Sequence, residues 1–203
     1  MPISKYFLIN LLWIVSKLLS LPKKVNVILL LQISKRFKFR SPAFQEKKIY
    51  DLSSLEISKF NSLSKAMSIS KTLRNDFIFG ADTVISINNE TIEKPIDDDD
   101  AMKILLKLRN SFHEVITNIS VVKNEKLIFS EKKISLVKTT NISTDKIKEY
   151  IDTGYYKDKA GGYGIQNKKF DFIKYFYGCY ENILGLPTCL IKKFLIELGF
   201  INK

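Results

Sequence analysis

Apolar positions along the chain fall into runs of two periods, and together they lay out alternating strands and helices. Phe77 to Ile87 reads Phe-Ile-Phe-Gly-Ala-Asp-Thr-Val-Ile-Ser-Ile, almost unbroken, which predicts a buried strand with a break at Gly80. Two further strands are predicted over Glu114 to Val122 and Lys133 to Lys138, with a turn at Asn124-Glu125, and another over Phe170 to Tyr177. Asn88-Asn89 reads as a turn. Helical spacing over Leu52 to Leu73 places Leu55, Ile57, Phe60, Leu63 and Ala66 on one side. Shorter helices are predicted over Ala101 to Leu108, from a cap at Thr144 through Ile151 with Gly154 ending it, and over Leu186 to Leu198. Val25 to Ile33 is apolar throughout and reads equally as a buried strand or a helix segment. Strands interleaved with helices give an α/β fold with a mixed sheet.

The first segment carries no such period. Phe7 to Leu21 is apolar apart from Asn10, Lys17 and the serines, too short and too interrupted for a membrane span. It has the length of a secretory h-region, yet no small-x-small cleavage site follows before Pro22-Lys23-Lys24. The expectation is a buried or amphipathic helix, with a misassigned or frame-damaged start as the second reading. Residues 1–24 are then an N-terminal extension or a degraded first motif, ahead of one domain over residues 25–203. Glycine and proline are few, and no repeat or low-complexity linker divides that stretch.

Composition narrows the function class. Of 203 residues, 45% are hydrophobic and 27% charged, as in an ordinary globular protein. The net charge of +12 points to an anionic partner. However, only four of the 33 basic residues are arginine, and the lysines are spread along the whole chain. That pattern describes a solvated lysine surface with a smaller positive cluster around a phosphate pocket, and no aromatic-basic RNA motif is present. A nucleic-acid partner is therefore not expected. Cys179 and Cys189 match neither a zinc site nor a CxxC pair, and read as free thiols of a reducing compartment, the cytoplasm. His113 is the sole histidine, which excludes a His-rich metal site; a lone His on a strand reads as a hydrogen-bonded core residue. Asp97 to Asp100, just before a helix, read as a cap rather than a metal site.

Two segments stand apart chemically. Asp82 lies inside the hydrophobic strand, in Gly80-Ala81-Asp82-Thr83, where a carboxylate is costly unless it is paired, metal-bound or facing a cavity. A carboxylate so placed holds a divalent cation or takes a proton from water. The second is Asp158-Lys159-Ala160-Gly161-Gly162-Tyr163-Gly164-Ile165-Gln166. Its glycines permit unusual backbone angles and free N–H groups for an anion, Lys159 adds a point charge, and Gln166 can both donate and accept. It is neither a Walker A loop nor a dinucleotide fingerprint.

Together with Leu63-Ser64-Lys65-Ala66, Lys94-Pro95, His113 to Thr117 and Asn182-Ile183-Leu184-Gly185-Leu186-Pro187, these segments resemble the Maf family of nucleoside triphosphate pyrophosphatases, over about Phe37 to Leu198. The Lys-Ala-Gly-Gly-Tyr-Gly-Ile-Gln string is similar to the branch acting on dTTP and UTP. The resemblance implies a mixed twisted sheet with flanking helices and a cleft between two lobes. It also implies water attack at the α-phosphorus of a nucleoside triphosphate, with release of pyrophosphate. Asp82 is implied as the catalytic carboxylate, which activates water or holds the metal. Glu46 is the second acidic group near the cation, expected to be Mg²⁺ or Mn²⁺. Lys65, Lys94 and Lys159 face the phosphates, and Thr83 and Gln166 shape base selection. A homodimer, as in relatives, is compatible with it. Relatives open with a strand followed by Ser-x-Ser-Pro-Arg-Arg; no such string exists here. Ser20-Leu21-Pro22-Lys23-Lys24 is one degraded candidate, with lysines for arginines, which lose the bidentate fork, and Ser34-Lys35-Arg36 is another that lies too close to Glu46. Asn118 stands where relatives have glycine. A weakened, nucleotide-binding member is the alternative these departures raise.

Overall fold

Eleven residues with scarcely a polar side chain need neighbours on both edges and cover on both faces, and Phe77–Ile87 obtains all four as the spine of a mixed sheet. The computed structural model describes residues 11–14, 37–40, 42, 44, 51–167 and 169–202. Its strands are β1 (Leu11–Ile14), β2 (Phe37–Arg40), β3 (Phe77–Ile87), β4 (Glu90–Ile92), β5 (Phe112–Lys123), β6 (Lys126–Thr139) and β7 (Ile173–Tyr177). Its helices are α1 (Ser54–Ser70), α2 (Asp98–Leu108), α3 (Thr144–Asp152), α4 (Tyr180–Ile183) and α5 (Thr188–Glu197), with a single 3₁₀ turn at Ala160–Gly162. The sheet order is β2-β1-β3-β5-β6-β7, and β4 pairs with β3.

Successive side chains of a strand point to opposite faces, and the two faces are covered differently. On one, α5 lays Leu190, Ile191, Phe194 and Leu195 against Phe77, Phe79, Ile119 and Val121. Further along the same face, α2, α3 and the loop after them build a second core with Ile85, Val115 and Val137. On the other face sits α1. Its buried residues include Ser58, Ser62, Ala66 and Ser70, a stripe of small side chains at every fourth position. That stripe allows very close approach: a Cβ on Gly80 would stand 2.1 Å from the Ser62 carbonyl oxygen.

The structure corrects several expectations. Leu11–Ile14, expected within a helix, is a strand between β2 and β3, parallel to both. An apolar run without helical period is what a central parallel strand requires. The face of α1 is rotated from expectation: Ala66 is buried and Leu63 packs beside it as expected, but Phe60 is exposed, Leu55 and Ile57 are only partly buried, and serines complete the contact with the sheet. The sheet's demand for close contact outweighs the apolar spacing. Strand β7 begins at Ile173, later than expected, because Phe170 and Phe172 turn into the core and Asp171 adopts a positive φ of 42°. The β5–β6 hairpin is longer than expected, turning on Asn124 and Glu125, whose φ values of 51° and 58° suit a two-residue turn matched to strand twist. Val25 to Ile33 lies outside the described residues. Among the described residues, no helix is long and apolar enough to cross a membrane.

Candidate active site

The edge of β3 that faces away from β5 is shared by two strands that stop short of each other. Strand β1 pairs with Phe77–Gly80 in parallel, and β4 pairs with Ile85–Ile87 antiparallel. Between them, Ala81 to Val84 has no strand beside it among the described residues. Sites at such divergences are a general feature of α/β sheets. Asp82 falls in this gap.

Asp82 points to the α1 face and is buried, with 6% of its surface exposed. Two α1 residues one turn apart grip its two oxygens: Lys65 Nζ donates to Oδ1 at 2.5 Å, and Asn61 Nδ2 donates to Oδ2 at 3.2 Å. Lys65 is itself buried, so this is an ion pair within the protein interior. Opposite Asp82 on β5 stands Asn118, whose Nδ2 is within hydrogen-bonding distance of Ser62 Oγ at 2.8 Å, Ser120 Oγ at 3.1 Å and Ser130 Oγ at 3.2 Å. The amide is thus absorbed by hydroxyls behind the carboxylate.

Thr83, one residue on, necessarily faces the other side of the sheet. Its Oγ1 lies 2.8 Å from Thr117 Oγ1 and donates to the Gly185 carbonyl at 3.4 Å. The turn between α4 and α5 is held there by Asn182, fully buried, which donates to the Val115 carbonyl at 2.8 Å and Ser135 Oγ at 3.0 Å. Asn182 is a residue whose weight the sequence reading missed; a polar side chain between a strand and a tight turn is the signal that could have found it.

The other expected site residues are distributed as follows. Lys94 is exposed just beyond β4, at the far side of the gap. Lys159 is buried, its Nζ 2.8 Å from Asp158 Oδ1, donating to the Tyr155 carbonyl and lying 3.6 Å above the Tyr155 ring centroid. Burial lowers its pKa, and the Asp158 carboxylate offsets part of that effect. Gln166 is exposed in the turn that follows. Glu46, Ser20 and Lys23-Lys24 lie outside the described residues. Within the glycine-rich loop, packing explains the first glycine: Gly161 has φ of 65°, and a Cβ on it would meet Ile85 Cδ1 at 2.5 Å. This loop is seated on β3 directly beside the gap. Asp97 caps α2 through the Asp100 amide at 2.7 Å, as expected of a helix start. Among the described residues no three or more His, Cys, Asp or Glu side chains are grouped so as to hold a metal ion.

These features define an α/β protein with a buried carboxylate–lysine pair, Asp82 and Lys65, where β1 and β4 part along β3. The chain belongs to the family of Maf-like proteins, whose profile matches residues 27–198. It is 36% identical over 177 residues to a dTTP/UTP pyrophosphatase of Dictyoglomus turgidum, covering 86% of this chain and 92% of that protein. A dTTP/UTP pyrophosphatase of Pyrococcus furiosus is 38% identical over 136 residues, 67% of this chain and 70% of that one. The fold is shared with the Ham1 protein of Staphylococcus aureus, at a TM-score of 0.53 and 16% identity, over 92% of this chain and 98% of that one.

Proposed function

We propose that this chain hydrolyses nucleoside triphosphates of the dTTP and UTP kind to the monophosphate and pyrophosphate, with a divalent cation and in the cytoplasm. The observation that carries this reading is the buried Asp82, gripped at both oxygens in the gap between β1 and β4, in a chain so similar to the dTTP/UTP pyrophosphatase of Dictyoglomus turgidum. Cys179 and Cys189, both free, suit a reducing compartment.

The donor set fits a hard cation of the Mg²⁺ or Mn²⁺ kind. Such ions are held by one or two carboxylates together with substrate phosphates. Asp82, a buried carboxylate, would supply one ligand and Glu46 the second. A cation held there would supply charge neutralisation at the phosphate oxygens. Asp82 orients the attacking water and takes its proton. The water oxygen bonds to the α-phosphorus as the bond to the bridging oxygen of the β-phosphate breaks, and pyrophosphate leaves. Lys65, Lys94 and Lys159 stabilise the charge that accumulates on the phosphates. Gln166 reads the base edge. Thr83 contributes to base selection from behind, by fixing the Gly185 turn.

Pyrophosphate release across a panel of nucleoside triphosphates, with Mg²⁺ or Mn²⁺, tests the reading. Release from dTTP and UTP that Asp82→Asn abolishes is the expected result. A folded protein that releases pyrophosphate from no triphosphate would sink it.

A further inference from the structure

Helix α1 brings two side chains to Asp82, and only one of them has a place in the reaction above. Lys65 and Asn61 are one helical turn apart, so both project from the same side of α1. They divide the carboxylate between them, Lys65 at Oδ1 and Asn61 at Oδ2. A lysine that serves the phosphates must loosen its hold on Asp82 when substrate arrives. The Asn61 amide carries no charge that a phosphate would attract, so it stays.

We propose that Asn61 is the positioning residue that keeps Asp82 aimed while Lys65 engages the substrate, and that its Oδ1 accepts a hydrogen bond from a water bound in the gap. This inference rests on the proposed reaction. Asn61 is 5% exposed, and its Oδ1 is buried with no partner. An unpaired buried amide oxygen is costly and rare in native interiors unless water or ligand satisfies it. The neighbouring amide of Asn118 does not serve it, being committed to Ser62, Ser120 and Ser130. The stripe of small residues fixes the geometry: Gly80 lets the α1 backbone settle against β3, which sets the reach of Asn61.

The test compares wild type, Asn61→Leu and Asn61→Asp in steady-state hydrolysis of dTTP with Mn²⁺. It adds the Asn61 side-chain amide signal in ¹⁵N NMR spectra of wild type and Asp82→Asn. The leucine keeps the volume and removes donor and acceptor; the aspartate keeps the shape and removes the donor. Both should lower kcat by about ten- to a hundred-fold, as loss of a partner behind a metal or catalytic group does, with KM for dTTP within about two-fold. The Asn61 amide signal should move in Asp82→Asn and again when diamagnetic Mg²⁺ is added to wild type. Unchanged kcat in both variants overturns the proposal, as does an amide signal indifferent to Asp82→Asn. Should wild type release no pyrophosphate, the reaction fails, and the NMR comparison still decides the Asn61–Asp82 contact by itself.

Discussion

His113 on β5 and Tyr163 in the glycine-rich loop share a hydrogen bond of 2.6 Å between Nε2 and the phenol oxygen, with their rings edge-on at 5.4 Å. This contact ties the loop that carries Lys159 and Gln166 to the centre of the sheet. Burial pushes the His113 pKa down from 6.5 to about 4 and the Tyr163 hydroxyl up, so the pair is neutral at pH 7. Because the folded pKa lies below the unfolded one, the unfolded chain binds the extra proton between pH 6.5 and 4. Stability therefore falls as pH drops through that window, by about 3 kcal/mol from this residue, and is unaffected by it above pH 6.5. Urea unfolding of wild type and His113→Gln at pH 7 and pH 4.5 measures it. The variant should lose distinctly less stability on acidification; parallel losses would refute the assignment.

Gly80 is the point where α1 and the sheet touch. A methyl group there would overlap the Ser62 carbonyl at 2.1 Å, and backbone on both sides leaves no flexible atom to yield. Gly80→Ala should lift α1 and carry Asn61 and Lys65 away from Asp82. The expected outcome is a loss of at least about 2 kcal/mol, the scale of core overpacking, together with near-complete loss of turnover. Thermal unfolding and dTTP hydrolysis check both. A fully active, equally stable Gly80→Ala would show that α1 does not set the site.

Strands β3, β5, β6 and β7, the turns at Asn88-Asn89 and Asn124-Glu125 and the position of Asp82 were legible because each rests on a local signal: an apolar run, a pair of turn-forming residues, a carboxylate where none should be. What the sequence hid was relative placement. Hydrophobic periodicity picked Leu55, Ile57, Phe60, Leu63 and Ala66 as the buried side of α1; of these the sheet buries Ala66, and it adds Ser58, Ser62 and Ser70 for their size. Reading small residues at every fourth position beside a strand glycine would have turned the helix the right way and exposed Asn61. Leu11–Ile14 was misread for a related reason, since an apolar stretch takes its strand identity from the neighbours it finds, β2 and β3, which lie far along the chain. Thr83 and Asp82 are adjacent in sequence yet serve opposite faces, which only the strand geometry reveals.

Asn182 holds the α4–α5 turn by donating to Val115 and Ser135 from a fully buried position. Asn182→Ala removes both donors and leaves the buried Val115 carbonyl and Ser135 hydroxyl short of a partner. A destabilisation of about 2 to 3 kcal/mol is expected. Since the same turn receives Thr83 through the Gly185 carbonyl, discrimination between dTTP and other triphosphates should also relax. Chemical denaturation reads the first effect, and the ratio of kcat/KM values for dTTP and dCTP the second. An unchanged ratio in a folded variant would separate the turn from base selection.

Lys65 and Asp82 form a buried ion pair, and its two halves should prove unequal in function and coupled in stability. Asp82→Asn removes the group proposed to take the proton from water, so kcat should fall by about a hundred-fold or more. Lys65→Met leaves that group in place and should act mainly on phosphate binding and transition-state charge. For stability, each single substitution leaves a buried charge that has lost its counter-ion, at a cost of about 3 kcal/mol. The double variant Lys65→Met, Asp82→Asn removes both charges together, so its loss should be well below the sum of the two singles, the mark of a directly interacting pair. Four urea curves close this cycle. Additive losses would mean that each residue draws its stabilisation from elsewhere, and that Lys65 is free to serve the phosphates without first giving up Asp82.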